Sequence, residues 1–321
     1  MAEYINIRGQ SIEVVASDPA NPTIGQIWYN STSNTLKGLG VTTAGAWATG
    51  NPLNTGRREF AGAGTQTAGL AFGGNINPGL SAVTEEYDGI SWTSVNSMNT
   101  ARAGNAGAGT QTAGLAFGGF GPTFTGATEE YDGISWATSN PMNTARAYAA
   151  GAGTQTAALA FGGEAPPLVA ATEEYDGNSW TNSNPLNTTR GMLAGGGIQT
   201  AALAFGGTTP SLPTGVTEEY NGTSWTNSNN MNTARQNLSG CGTQTAALAV
   251  GGEGPPITGA TEEYDGNSWT TVNPLNSARQ LLVSIGTQPA TLAFGGSPGG
   301  RTETEEWNGA GTPQTKTITA S

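Results

Sequence analysis

Histidine is absent from the 321-residue chain, and cysteine occurs once. Without imidazole the chain by itself cannot build a Ser–His–Asp triad, an imidazole general base or a His-ligated zinc or copper site. One thiol excludes a disulfide framework and a cysteine-only metal cluster. Charge is scarce too: charged residues are 11% of the chain, against a usual ~25%. The 23 acidic and 11 basic residues leave a formal charge of −12. So few and so scattered Lys and Arg side chains are a poor match for a phosphate backbone, and nucleic acid is not an expected partner. No apolar run approaches the ~20 residues that span a bilayer. The opening MAEYINIRGQ has neither the basic nor the apolar region of a secretory signal. The expectation is a chain made in the cytoplasm, with no signal peptide and no membrane insertion.

What is present is small and aromatic. The 50 Gly and 17 Pro stay below the roughly 25–30% share that reads as low complexity. Hydrophobic residues make up 36% and include eight Trp, enough for a core. These residues are distributed periodically. Gly-Gly pairs begin at Gly73, Gly118, Gly162, Gly206, Gly251 and Gly295, in steps of 44 or 45 residues. TEEYDG or a close variant begins at Thr84, Thr128, Thr172, Thr217, Thr261 and Thr304. Trp47, Trp92, Trp136, Trp180, Trp225 and Trp269 are each followed ten residues later by an Arg: Arg57, Arg102, Arg146, Arg190, Arg235 and Arg279. From each of the first five Thr to the next Gly-Gly the distance is always 34 residues. All length variation therefore lies between Gly-Gly and the following TEE, in segments 75–83, 120–127, 164–171, 208–216, 253–260 and 297–303. A rigid unit has been copied around one changeable loop.

Each unit reads as four short strands: a small-residue strand such as AGNAGAG, a tight TQT turn, an apolar strand such as AGLAFGG, the variable loop, ATEEY, a DGxS turn, and a strand opening on Trp. Asp-Gly or Asn-Gly between short strands is a strong hairpin signal. A period of 40–50 residues with Gly-Gly and aromatic markers is the pattern of propeller repeats. No segment carries a useful helical period, so the fold class is all-β. Six Gly-Gly units predict six blades, with seven as the alternative. In the six-blade reading the orphan strand GAWATG before the first unit completes the last one, which otherwise lacks a Trp-started strand. In the seven-blade reading TKTITAS (315–321) completes it, and residues 11–50 supply an irregular extra blade. The domain division is residues 1–44, an N-terminal β-hairpin module, and residues 45–321, the propeller.

The Gly-Gly pair ending the second strand, the Tyr of TEEYDG, the Trp about five residues on and the Arg opening the next unit resemble the kelch repeat over roughly residues 47–310. The resemblance implies a kelch-type β-propeller and does not by itself imply an activity. Copper-radical oxidation of the galactose-oxidase type, known on this fold, needs His ligands and a modified Cys–Tyr pair, neither of which is available here. The paired carboxylates, Glu85-Glu86 to Glu305-Glu306, alternate faces on a strand. One of each pair is expected to meet a repeat Arg, and the other to face water or a neighbouring blade. The six Trp are expected between blades, and Cys241 in the core. Outside the repeats the loop acids are Glu59, Glu164, Glu253 and Glu303, which do not suggest a glycosidase pair. The chain is read as no enzyme, with no cofactor and no metal.

Second-to-third loops and blade connections emerge on one face of a propeller, so the variable segments are the candidate contact surface. Their candidate residues are Ile76, Pro78, Phe120, Phe124, Pro166, Leu168, Val169, Leu212, Pro213, Pro255 and Ile257. At the N-terminus, Gly25, Ile27, Trp28, Tyr29, Asn30, Thr35, Leu36 and Lys37 resemble a hairpin common in tail-fibre and virion structural proteins of tailed bacteriophages. The whole chain is similar to virion proteins of marine and cyanobacterial phages. The resemblance implies a virion protein of the particle surface or tail fibre, attached to other virion proteins through the hairpin, with Ile27, Trp28 and Tyr29 as candidate attachment residues. A host-surface glycan or protein is the expected partner of the loops. A decoration protein without receptor binding is the alternative, and a cellular kelch adaptor is a more distant one.

Overall fold

A computed structural model describes residues 12–41, 44–310 and 313–318, and every regular element in it is a strand. The chain forms two compact units, Met1–Gly45 with Gly309–Ser321, and Ala46–Asn308.

The smaller unit is a mixed four-stranded sheet in the order β1 (Glu13–Val15), β2 (Ile27–Asn30), β3 (Thr35–Val41), β28 (Pro313–Ile318), with β1 parallel to β2. The β2–β3 hairpin predicted from GQIWYN and TLKGLG is present. Asn30 Oδ1 accepts the amides of Thr32 and Ser33, turning the chain back. Asp18 organises the sheet, accepting from Trp28 Nε1, Asn30 Nδ2 and Lys37 Nζ. These donors hold its carboxyl down at about 2. The sequence division gave residues 309–321 to the repeats. Instead β28 runs antiparallel to β3, from Pro313 opposite Val41 to Ile318 opposite Leu36.

The larger unit opens with β4 (Ala46–Gly50). There follow β5 (Ala61–Thr65), β6 (Ala68–Phe72), β7 (Thr84–Tyr87) and β8 (Trp92–Val95), then β9 (Ala106–Thr110), β10 (Ala113–Phe117), β11 (Thr128–Tyr131) and β12 (Trp136–Ser139). The third copy is β13 (Ala150–Thr154), β14 (Ala157–Phe161), β15 (Thr172–Tyr175) and β16 (Trp180–Ser183). The fourth is β17 (Ala194–Ile198), β18 (Ala201–Phe205), β19 (Thr217–Tyr220) and β20 (Trp225–Ser228). The fifth is β21 (Ser239–Thr243), β22 (Ala246–Val250), β23 (Thr261–Tyr264) and β24 (Trp269–Val272). The chain then forms β25 (Val283–Thr287), β26 (Ala290–Phe294) and β27 (Thr304–Asn308). The first five copies are antiparallel sheets with strands in chain order, and the sixth is completed by β4 lying against β27. The first strands contact one another in sequence, and β25 contacts β5. The six sheets thus follow one another in a closed succession, a propeller-like repeat. The orphan strand near residue 46 has the place expected for it in the six-blade reading.

Local chemistry explains the strands. In each DGxS turn the acid caps the hairpin, as where Asp88 Oδ1 accepts the amides of Ile90 and Ser91, an Asx turn. The first strands are small because neighbouring sheets converge there. A Cβ on Gly107 would lie 2.7 Å from Phe72 Cζ and 2.9 Å from the Gly62 carbonyl oxygen.

Repeated contacts lock each sheet to the next. Every Trp that opens a fourth strand donates through Nε1 to the Thr opening the third strand of the preceding sheet, at 3.0–3.1 Å. The Gln of each GTQ turn donates to two carbonyls of the preceding sheet, as Gln155 does to Gly114 and Tyr131. Each repeat Arg meets the first Glu of the following TEE element at 2.5–3.3 Å, with both side chains at most 3% exposed. The same carboxylate accepts a backbone amide of the connection, that of Asn143 for Glu173. The second Glu accepts the Tyr hydroxyl of the next sheet in five of the six junctions. The two faces expected of the Glu pairs, and the packing of the Trp between sheets, are as the sequence predicts.

Candidate functional site at the mouth of the repeat unit

Two residues beyond each repeat Arg the backbone enters the left-handed region: Glu59 (φ 57°), Gly104 (61°), Tyr148 (53°), Met192 (54°), Asn237 (53°) and Leu281 (54°). The amide of each donates to the carbonyl of the one before: Gly104 to Glu59, Tyr148 to Gly104, Met192 to Tyr148, Asn237 to Met192, Leu281 to Asn237, and Glu59 to Leu281, at 2.7–3.2 Å. These six bonds form a closed circuit. A non-glycine residue held in this region costs about 1–2 kcal/mol, and five of the six positions bear a side chain. The circuit over-determines a conformation that isolated chain avoids.

The circuit gathers the variable loops. The residue before each member pairs with the first residue of the loop in the same unit: Arg58 with Asn75, Ala103 with Phe120, Ala147 with Glu164, Gly191 with Thr208, Gln236 with Glu253 and Gln280 with Ser297. Five loops then fold back on themselves, through Leu80, Phe124, Leu168, Pro213 and Ile257. The mouth therefore carries two sets of unlike residues, six loops and six circuit positions. Pro78, Pro166, Pro255 and Leu212 are exposed, Leu212 at 63%. Ile76, Phe120, Phe124, Leu168, Val169, Pro213 and Ile257 are half-buried. Leu168 lies against Gly191 of the next connection. Of the attachment candidates, Ile27 and Tyr29 are half-buried, while Trp28 is 0% exposed with its indole nitrogen on Asp18. Trp28 is a core residue of the small sheet and offers no contact surface.

No shared residue type marks the circuit in the sequence, but variability does. Within the otherwise uniform block, the three residues after each repeat Arg differ in every copy: REF, AGN, AYA, GML, QNL and QLL.

One sector of the mouth breaks the pseudo-symmetry. Phe120 lies 6.5 Å from Phe124 and 5.8 Å from Tyr148, ring centroid to centroid, with tilted rings. These three, with Gly121, Pro122 and Thr123, line a cleft of about 440 Å³. Tyr148 also borders a smaller depression, about 100 Å³, at the centre of the circuit. Gly104, between Glu59 and Tyr148 in the circuit, leaves room here: a Cβ on it would meet Tyr148 Cε1 at 3.2 Å and Phe120 Cδ1 at 3.3 Å. Burial pushes the Glu59 carboxyl up, offset by Arg58, whose Nε is 3.5 Å away, and by the Tyr148 hydroxyl. Burial, with the carboxylates of Glu59 and Glu164, pushes the Tyr148 hydroxyl up in turn. Tyr148 is thus a neutral phenol facing carboxylates.

Cys241 is buried, its Sγ 3.0 Å from Thr291 Oγ1, and burial pushes its thiol up to about 12, far from a reactive thiolate. Among the described residues no group of three or more His, Cys, Asp or Glu is placed to hold a metal ion. Neither a scan against protein-family models nor a search of curated proteins finds a match to this chain.

Proposed function

We propose that the larger unit is a six-bladed kelch-type propeller serving as a recognition scaffold, and that the chain is a non-enzymatic virion protein of a tailed bacteriophage. Its mouth binds a host-surface glycan or protein, and the small sheet attaches the scaffold to other virion proteins. One observation carries the recognition reading. A repeat that is nearly uniform elsewhere gathers its unlike residues, the six loops and the six circuit positions, around a single mouth. Drift without function would leave solvent-facing positions on the other loops equally varied, yet the DGxS turn recurs in four of the first five sheets and departs only to NGTS, from Asn221, in the other. The virion assignment rests on the resemblance of the hairpin around Trp28 and of the repeats to phage proteins.

Exchanging segments 75–83, 120–127, 164–171, 208–216, 253–260 and 297–303 with those of a related phage protein is expected to transfer host adsorption to the donor's host range. Adsorption that stays with the recipient's host would overturn the recognition reading and favour a decoration role.

A further inference from the structure

The aromatic sector has a chemistry of its own. Three aromatic side chains, whose ring faces carry negative quadrupole potential, line one cleft, and the charged groups acting on Tyr148 include the carboxylates of Glu59 and Glu164 and the cation of Arg58. Arg58 is drawn to Glu59, so the sector keeps an excess of negative potential inside a chain of formal charge −12. Aromatic faces with nearby carboxylates attract weakly hydrated organic cations, which lose little on leaving water and gain from the ring faces. A neutral apolar guest of the same shape would gain the contact and none of the electrostatics. The missing side chain at Gly104 lets the Phe120 and Tyr148 rings close in over it.

We propose that the cleft of Phe120, Phe124 and Tyr148 binds an organic cation, a substituted ammonium or guanidinium group presented by the surface partner. This deepens the recognition reading by naming the chemical group that one sector of the mouth takes. The cation contacts the rings that line the cleft, and the carboxylates, which lie outside that lining, act on it through their field beside Tyr148.

Isothermal titration of the full chain with choline and with 3,3-dimethyl-1-butanol, its uncharged carbon analogue, tests the proposal. Choline is expected to bind at least about fivefold more tightly than the alcohol, the scale of a partly desolvated cation–π contact. Phe124→Ala and Glu59→Gln should each weaken choline binding about threefold or more, with the protein still folding cooperatively. An acetylated trimethyl-lysine amide titrated in parallel distinguishes a protein side chain from a lipid or polymer headgroup as the source of the cation. Equal binding of choline and the alcohol, binding of methyl glycosides without choline, or no binding of any probe at ~100 mM would each overturn the proposal. If loop exchange fails to transfer adsorption while choline still binds, the recognition reading falls and the cation site stands. The converse result removes the cation site alone.

Discussion

Asn105 is the residue least suited to its surroundings. It is 6% exposed, and neither its amide oxygen nor its amide nitrogen has a hydrogen-bond partner. Its equivalents three residues after the repeat Arg are Phe60, Ala149, Leu193, Leu238 and Leu282. The leucines pack against the Gly-Gly pair of the preceding sheet, as Leu193 does against Gly162, and Asn105 lies against Gly73 in the same way. A buried amide without partners costs about 1–3 kcal/mol, and leucine is what the repeat uses at this site. Asn105→Leu is therefore expected to raise unfolding stability by about 1–3 kcal/mol, read as a higher denaturation midpoint with an unchanged slope. A variant no more stable than the parent would mean that bound water already satisfies the amide. The sequence marks Asn105 as the one polar residue in an otherwise apolar column, but does not say whether the position is buried. Its burial turns that oddity into an energetic cost.

At the scale of the strand and its connection, the buried Arg–Glu pair is the recurring device. Burial pulls the guanidinium groups of Arg57, Arg190 and Arg235 down to about 10, the neighbouring carboxylates offsetting part of the shift. In all six copies the Arg Nε is left without an acceptor, so the pair is no simple gain in stability. Buried pairs of this kind often contribute little over a well-packed apolar pair, whereas a lone buried charge is costly. In the third copy, Arg146→Met should cost about 3–5 kcal/mol, by stranding the Glu173 carboxylate. Adding Glu173→Gln should recover a substantial part, since an amide oxygen still accepts from Asn143. A double-mutant cycle by chemical denaturation measures the coupling. A single variant costing under ~1 kcal/mol would show that the pair is not a structural latch. The latch was legible in sequence because Arg and TEE recur at fixed spacing. The backbone circuit was not, because its six members share a conformation and no residue type. A pattern search that looks for identity passes over positions where only φ is conserved from copy to copy. The clamp formed by the GTQ glutamines escaped for a different reason: a Gln in a tight turn reads as solvent-facing until the preceding sheet is placed beside it.

At the scale of the whole repeat unit, closure depends on a strand drawn from the other end of the sequence. β4 pairs with β27 from Ala46 opposite Asn308 to Gly50 opposite Thr304, and Trp47 reaches Thr261 of the preceding sheet. The seam is repacked relative to the other junctions. Trp307 stands where the other copies have Tyr and lies 5.3 Å from Trp47, and Val250 stands where they have Phe. A larger residue is thus matched by a smaller one within one core cluster, a volume-conserving exchange of the kind cores tolerate. A linear repeat protein needs polar caps at its ends, and its copies can fray one by one. A closed succession has no end, and removing its last strand exposes an edge together with the face that Trp47 covers. Chains beginning at Ala46 and at Asn51, both ending at Asn308, differ only in β4. The shorter is expected to lose at least about 3–5 kcal/mol, the cost of deleting a buried Trp alone, and to melt earlier and over a broader range. A synthetic peptide spanning residues 45–57, added in trans, should restore the sharp transition by taking the vacant place beside β27. If both chains unfold at the same temperature and with the same sharpness, β4 is an ornament on an already stable row of sheets, and closure does not contribute to holding the mouth together.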